Sequence, residues 1–352
     1  MIPYLAFYII LSLLSFFKEY KISFFIIFSF LLIFIGLKYE VGGDWINYLK
    51  LFNNDYKNLR SIVNIKEPFF NLIILIIAKF NYFIIILNFF SGLIFLSGLF
   101  LYISIFKNKI LNLTLTFPII ILIVGLGYVK QSIGLGFIFY SLYFMHKDRD
   151  IISIIFTVIA GFFHIGAFII IINQLIYIIV KKKIPIYHLF TLIFSLLFIF
   201  NLLINFTNNG WYYLFLHTIN YLDNRTFIDY NSSGFLLRSS IICFFCVLIL
   251  NKILVNNFNK TYIFYWISSF TVISLSLMGL FSSPVFADRL LYFYSFIQIF
   301  VIGNIHDFVK NQTYFVILKL LSLIFGFTIL IFWLLFGFNS ESWLPYNNVL
   351  FI

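Results

Sequence analysis

The sequence predicts an all-α fold, a polytopic bundle of transmembrane helices, from three observations. Of the 352 residues, 63% are hydrophobic and only 10% are charged. Soluble domains are about 45–50% apolar and about 25% charged, so water would not accommodate this composition. No polar stretch is long enough to fold as a separate soluble domain. We therefore expect residues 1–352 to form a single integral membrane domain.

Apolar runs predict about 11–13 membrane segments. A spanning helix needs roughly 20 mostly apolar residues, and several runs are shorter, so we expect some segments to be broken or re-entrant. The runs are 3–17, 22–37, 69–80, 83–106, 110–127, 131–145, 151–180, 186–205, 236–254, 261–281, 289–305 and 313–338.

Lysine and arginine in short connectors predict the orientation, because such connectors stay on the cytoplasmic side. With the basic connectors in the cytoplasm, both chain termini lie outside, together with two long polar loops, 38–68 and 206–235. The basic residues concerned are Lys18, Lys21, Lys107, Lys109, Lys147, Arg149, 181–183, Lys252, Lys260 and Lys310.

The predicted orientation depends on two segments. Residues 69–106 must cross only once in net terms, with 69–80 re-entrant, and 151–180 must break into two limbs near His164. In the alternative, both parts of 69–106 cross, 151–180 crosses once, and the loops of 107–150 change sides.

The first outer loop carries a carboxylate beside aromatic residues. Two glycines end the preceding helix, and Asp44 can then cap a new helix that carries Trp45 and Tyr48 on one side. Such an amphipathic helix would lie in the membrane interface. Asp44 is therefore either a plain helix cap or a carboxylate at the mouth of a membrane cavity, beside rings that can stack on a sugar.

Three further positions place polar groups at or within apolar segments. Glu67 precedes a proline that opens a segment, where it can favour the helix dipole or face a cavity. Lys130, followed by Gln131, lies between two short apolar runs and is either an anion site or a snorkelling anchor. His164 interrupts a long apolar run, so either the helix breaks there or the ring faces a polar interior.

Two acid–arginine combinations are candidates for binding anions. Asp288 and Arg289 stand at the head of an apolar helix, and a guanidinium offers a fork of donors suited to phosphate oxygens. A snorkelling anchor is the alternative. Asp223 and Arg225 repeat the combination in the second outer loop.

Other features point to different chemistry or to none. Asp148 and Asp150 form a D-x-D, a spacing used to hold a divalent metal, but they lie in a short connector without a nucleotide-binding unit. Cys243 and Cys246 lie in an apolar run and are expected to be structural. The net charge of +11 is scattered between apolar spans, so no nucleic-acid surface is predicted.

Taken in order, these features resemble the EpsG family of O-antigen and exopolysaccharide polymerases, often called Wzy-type polymerases. Members commonly show Arg-Gln where this chain has Lys130 and Gln131, and V-G-T-D where it has V-G-G-D. The lysine keeps the positive charge without the guanidinium fork. The resemblance rests on residues 41–45 with Tyr48, on Glu67 with Pro68 and Phe69, on Lys130 with Gln131, on His164, and on Arg289 with Tyr292 and Phe293.

The resemblance implies a metal-independent glycosyltransferase of the bacterial inner membrane with a GT-C-like helical architecture. It would join undecaprenyl-diphosphate-linked oligosaccharide repeats into O-antigen, exopolysaccharide or capsule at the outer face. A chain-length regulator and a flippase are candidate partners, and no cofactor or metal is expected.

The resemblance and the chemistry together assign candidate roles. A diphosphate leaving group needs cations, and the acceptor hydroxyl needs a nearby base. The candidate bases or acceptor-positioning groups are Asp44, then Glu67, with His164 as the alternative proton acceptor. The candidate diphosphate- and sugar-binding residues are Arg289, Lys130, Arg225, Gln131, Trp45, Tyr48 and Tyr292.

Three other functions remain open. A lipid-linked-oligosaccharide flippase shares the hydropathy but should show internal symmetry, and none is visible. An O-antigen ligase shares the lipid-linked donor and differs in its acceptor. A membrane acyltransferase would use a small acyl donor with His164 as base.

Overall fold

The computed structural model describes residues 1–17, 19–54, 67–182, 234–255, 260–281, 284–309, 311–337 and 339–351. Regular structure in these ranges is helical, and a single isolated bridge joins Lys38 to Asn348. The chain is an all-α, polytopic membrane protein, as its composition predicts.

The α-helices of the described ranges vary from one turn to seven. In chain order they are α1 Ile2–Leu14, α2 Lys21–Gly36, α3 Trp45–Asn54, α4 Pro68–Ile77, α5 Phe83–Ile103, α6 Lys109–Thr116, α7 Val129–His146, α8 Asp150–Phe163, α9 Ile169–Lys182, α10 Phe235–Val255, α11 Lys260–Phe281, α12 Pro284–Leu291, α13 Phe296–Gly303, α14 Ile305–Phe308 and α15 Gln312–Phe336. A π-helical stretch, Phe117–Gly125, continues α6, and short 3-10 turns cover Ile165–Phe168, Tyr292–Tyr294, Ser340–Trp343 and Val349–Phe351.

Six helical stretches of the described ranges are long and apolar enough to cross a membrane. Shorter apolar helices pack among them, which agrees with the expected mixture of full and broken segments. The six are Phe83–Ile103, Ile165–Lys182, Phe235–Lys252, Tyr262–Phe281, Pro284–Gly303 and Gln312–Phe336.

Helices α2 and α5 run antiparallel. Phe24 packs on Phe100 at one end, and Gly36 lies against Phe89 at the other. The intervening α4 has ten residues and is about 15 Å long, half of what a bilayer core requires. Since α2 ends where α5 begins, the chain returns to the same end of the bundle between them, which agrees with the single net crossing of 69–106 in the predicted orientation.

Helices α8 and α9 form an antiparallel hairpin with His164 at its tip. The backbone of His164 is extended between the two helices. At the open end, Lys181 Nζ lies 2.9 Å from Asp150 Oδ1. The predicted break near His164 is confirmed.

The basic connectors meet at one end of the bundle, here called the lysine end. Lys109 lies beside the start of α2, Lys181 pairs with the connector before α8, and Lys252 pairs with Asp307. Contacts between aromatic rings join these connectors to one another. We call the opposite end, where α2 ends and α7 begins, the site end.

Candidate functional site

Asp44 joins the turn after α2 to the start of α7. Its Oδ2 atom accepts a hydrogen bond from the Val129 N–H over 3.0 Å. Its own N–H donates to the Gly127 carbonyl over 3.3 Å. The Asp44 side chain therefore caps the start of α7, which lies 85 residues later in the chain.

Three cations act on the Asp44 carboxylate. Burial raises the pKa of Asp44, whereas Lys38, Lys130 and Arg289 lower it by attraction. Lys38 is only 3% exposed, and its ammonium donates to the Leu126 carbonyl. The Asp44 carboxylate is half-buried, and these three cations give its surroundings a positive charge.

Glu67 and Lys130 form an ion pair, with Nζ 2.7 Å from Oε2. Glu67 occupies the N-cap position of α4, yet its side chain makes no capping hydrogen bond. Lys130 also lies over the Phe70 ring, 4.8 Å from its centroid. The carboxylate of Glu67 is therefore directed into the cluster and not onto its own helix.

His164 lies in the same cluster. Its Nδ1 accepts a hydrogen bond from the Gly166 N–H over 3.1 Å, so the neutral ring carries its proton on Nε2. Glu67, Lys130 and Arg289 are close enough to act electrostatically on the imidazole. The ring packs on Phe293, 5.2 Å between centroids.

Arg238 and Asp288 form a second, more buried ion pair at the site end. Arg238 Nε lies 2.7 Å from Asp288 Oδ1, and a second guanidinium nitrogen bonds Oδ2. The guanidinium lies over the Tyr292 ring, 5.2 Å from its centroid, and Tyr292 neighbours Tyr128. Arg289, one residue further, is exposed.

The sequence that carries this cluster matches a known protein family. The sequence model of the EpsG family matches residues 21–348, nearly the whole chain. The chain belongs to the EpsG family. Comparison with curated proteins and with solved structures gave no match. EpsG membership is consistent with a membrane protein of the polysaccharide polymerase type.

In this EpsG-family chain the predicted site residues fall into three groups: those brought together at the site end, those at the edges of the cluster, and one that the structure does not describe. Those brought together at the site end are Asp44, Glu67, Lys130, His164, Arg289 and Tyr292. Arg225 lies outside the described residues, as does nearly all of the 206–235 loop and the 55–66 part of the 38–68 loop.

The remaining predicted contacts line the edges of the cluster. Trp45 and Tyr39 make an edge-to-face ring contact at the start of α3. Tyr48 is buried against Phe70, which leaves it little surface for stacking on a sugar. Gln131 is buried, and its Oε1 has no hydrogen-bond partner in the described part of the chain.

The D-x-D lies at the lysine end, away from this cluster. Asp148 and Asp150 both bind the ammonium of Lys181 at 2.9 Å. Among the described residues, no group of three or more His, Cys, Asp or Glu side chains could hold a metal ion. In this chain the motif closes the α8–α9 hairpin.

Sequence reasoning missed Lys38 and Arg238. Arg238 had a usable signal, because it is the one arginine in the apolar run 236–254 and such residues are rarely left facing lipid. Lys38 follows directly on a helix end and looked like an ordinary boundary lysine.

The arrangement supplies two kinds of chemistry in one place. The ammonium and guanidinium groups can hold an anion with two or more charges. The carboxylates can accept a proton within the same cluster, and the His164 ring presents its Nε2–H as a hydrogen-bond donor.

Proposed function

We propose that this EpsG-family chain is a polysaccharide polymerase that uses undecaprenyl-diphosphate-linked oligosaccharides as donor and acceptor. The observation that carries the proposal is the convergence at one end of the bundle of Asp44, Glu67 and His164 with Lys130 and Arg289. Family membership supports the same class of reaction.

The proposed reaction is a glycosyl transfer between two lipid-linked chains. The acceptor sugar hydroxyl attacks the anomeric carbon of the donor, and the bond from that carbon to the diphosphate oxygen breaks. The hydroxyl proton passes to Asp44, with Glu67 as the alternative acceptor. His164 is the third candidate and would accept the proton on Nδ1 only after that atom releases the Gly166 N–H. Lys130 and Arg289 stabilise the charge that develops on the diphosphate as it leaves.

Arg238 adds a further anion-binding group to this proposal. Its guanidinium is held in place by Asp288 and by the Tyr292 ring, so its direction is set before substrate arrives. Arg225, in the outer loop, is proposed as an additional cation.

The charge distribution supports an outer location for the site. The described connector lysines Lys109, Lys181 and Lys252 lie at the lysine end, which the positive-inside tendency assigns to the cytoplasm. The site end and both chain termini would then face the outside of the inner membrane. Repeats delivered there by a flippase would be within reach, and a chain-length regulator could act on the same face.

The proposal is tested in cells that depend on this chain for their surface polysaccharide. Asp44→Asn or Arg289→Ala, at normal membrane abundance, should leave single lipid-linked repeats unpolymerised. Asp148→Asn and Arg149→Ala, at the lysine end, serve as matched controls and should keep long chains.

Each outcome distinguishes the proposal from its competitors. Normal long chains in both site variants would contradict a polymerase site here. Repeats trapped on the inner face would indicate a flippase, and polymer that is made but not attached to lipid A or protein would indicate a ligase. Polymer of normal length that lacks acetyl groups would indicate an acyltransferase.

A further inference from the structure

The C-terminal segment, residues 339–351, packs on the turn that carries Asp44. Three backbone hydrogen bonds hold it against residues 37–42. They run from the Val349 N–H to the Leu37 carbonyl at 2.9 Å, from the Tyr39 N–H to the Asn347 carbonyl at 3.1 Å, and from the Gly42 N–H to the Ser342 carbonyl at 2.7 Å.

Trp343 lies at the centre of this contact and is fully buried. Its indole N–H donates to the Leu122 carbonyl over 3.1 Å, and its own carbonyl accepts from the Tyr4 hydroxyl over 2.6 Å. The same residue is therefore tied both to the π-helical stretch before α7 and to the first helix of the chain.

The indole fills the space beside two glycines of the site. A Cβ on Gly127 would lie 2.0 Å from the indole ring, and a Cβ on Gly43 would lie 3.4 Å from it. Gly127 belongs to the break before α7, and Gly43 precedes Asp44. Trp343 thus contacts both sides of the joint at which Asp44 meets Val129.

We propose that Trp343 is a positioning residue, which holds the 42–44 turn against the 126–129 break and so keeps Asp44 on the Val129 N–H. The consequence for catalysis rests on the proposed function, in which Asp44 takes the proton. Lys130 follows Val129, so the same joint sets the spacing between the carboxylate and the nearest cation of α7.

The structural half of the proposal is tested by hydrogen exchange on the full-length protein in detergent micelles. Trp343→Ala should speed exchange of the Gly42, Asp44 and Val129 amides by about tenfold, which corresponds to about 1.4 kcal/mol of local opening free energy. Trp343→Phe keeps an aromatic ring, loses the indole N–H and should show a smaller increase.

A matched control uses a tryptophan far from the joint. Trp266 on α11 is 37% exposed and packs on Phe270 of its own helix. Trp266→Ala should leave exchange at the three amides unchanged. If Trp343→Ala fails to accumulate, Trp343→Phe carries the comparison.

The catalytic half is tested by the rate of chain growth on synthetic lipid-linked repeats. Trp343→Ala should lower kcat by about 100-fold with a smaller change in KM, since small misplacements of a reacting group have such effects. Its pH profile should also shift, because the groups that set the Asp44 charge keep their identity but change their distances.

The two halves fail in different ways. Unchanged exchange at the three amides in both Trp343 variants would overturn the proposal, whatever reaction the protein catalyses. A wild-type kcat in Trp343→Ala, with exchange at the three amides increased, would overturn the catalytic half, since a loosened joint would then not matter to the reaction. If wild-type protein shows no polymerisation, the proposed function fails, and the exchange result alone decides whether Trp343 holds the joint.

Discussion

Lys130 Nζ lies 2.7 Å from Glu67 Oε2, and this ion pair joins the starts of α4 and α7 at the edge of the site. The lysine side chain is 36% exposed and the glutamate 16%, so the ammonium is reachable from solvent while it is paired. Under the proposed function, an arriving diphosphate competes with Glu67 for the same ammonium.

Glu67→Gln should reduce chain growth while the protein still folds. A partly solvated ion pair contributes about 0–1 kcal/mol to stability, so membrane abundance should stay close to wild type. The matched control is Asp307→Asn, which breaks the Lys252–Asp307 pair at the lysine end and should keep normal chains. Equal polysaccharide from both variants would rule out a role for Glu67.

Lys130→Arg and Lys130→Met separate charge from shape. Arginine keeps the positive charge, so we expect activity within about tenfold of wild type; methionine removes the charge, and we expect a loss of about 100-fold or more. The measurement is the length distribution of glycan formed by purified membranes from added lipid-linked repeats. Activity retained by the methionine variant would mean that Lys130 is only a membrane anchor.

The pH dependence of polymerisation should reflect the pKa of Asp44. Burial raises this pKa above the ordinary aspartate value of about 3.9. A base acts in its deprotonated form, so the rate should fall as the pH falls through this raised pKa. Lys38, Lys130 and Arg289 all favour the carboxylate. Lys38→Met removes one of these attractions and should move the acid limb to higher pH.

Two further variants check this interpretation. Lys38→Arg keeps a cation and a donor for the Leu126 carbonyl, so its acid limb should stay near that of wild type. Lys109→Met removes a lysine at the lysine end and should change nothing. An acid limb that does not move in Lys38→Met would show that Asp44 does not govern the profile.

The Arg238–Asp288 pair should matter for stability as well as for binding. Its side chains are 12% and 8% exposed, and removal of one partner from a buried pair costs about 3–5 kcal/mol because the remaining charge loses the attraction that offset its burial. Arg238→Met should therefore lower the unfolding temperature in detergent. The double variant Arg238→Met, Asp288→Leu should recover much of the stability without recovering chain growth. Recovery of both would make the pair purely structural.

Much of the bundle could be predicted because hydrophobic runs and helix breakers act locally. The hairpin at His164 and the single net crossing of residues 69–106 both follow from segment length and from where ionisable groups interrupt apolar sequence. The capping role of Asp44 could not be read in this way. Its partner, the Val129 N–H, is 85 residues distant in the chain, and a local pattern indicates only that some helix start is near.

The residues that sequence reasoning missed share one property. Lys38, Arg238 and Trp343 have key polar partners remote in the chain, at Leu126, Asp288 and Leu122. Nothing in their own neighbourhoods distinguishes Lys38 from a boundary lysine or Trp343 from an interfacial tryptophan, and the only local signal at Arg238 is its place within an apolar run. Their importance becomes visible only when the helix ends are brought together.

The sequence by itself determined that this protein lies in a membrane and that it is helical. It also determined where its helices break and which polar groups interrupt the apolar segments. Those properties depend on composition and on hydrogen bonding within short segments, which the bilayer makes obligatory. The tertiary structure decided which of these polar groups lie close together. It also decided that the D-x-D closes a hairpin and that the C-terminal segment packs on the turn that carries Asp44. The reason is physical: a buried charge is stabilised by whichever groups the packing of distant helices places within a few ångströms of it.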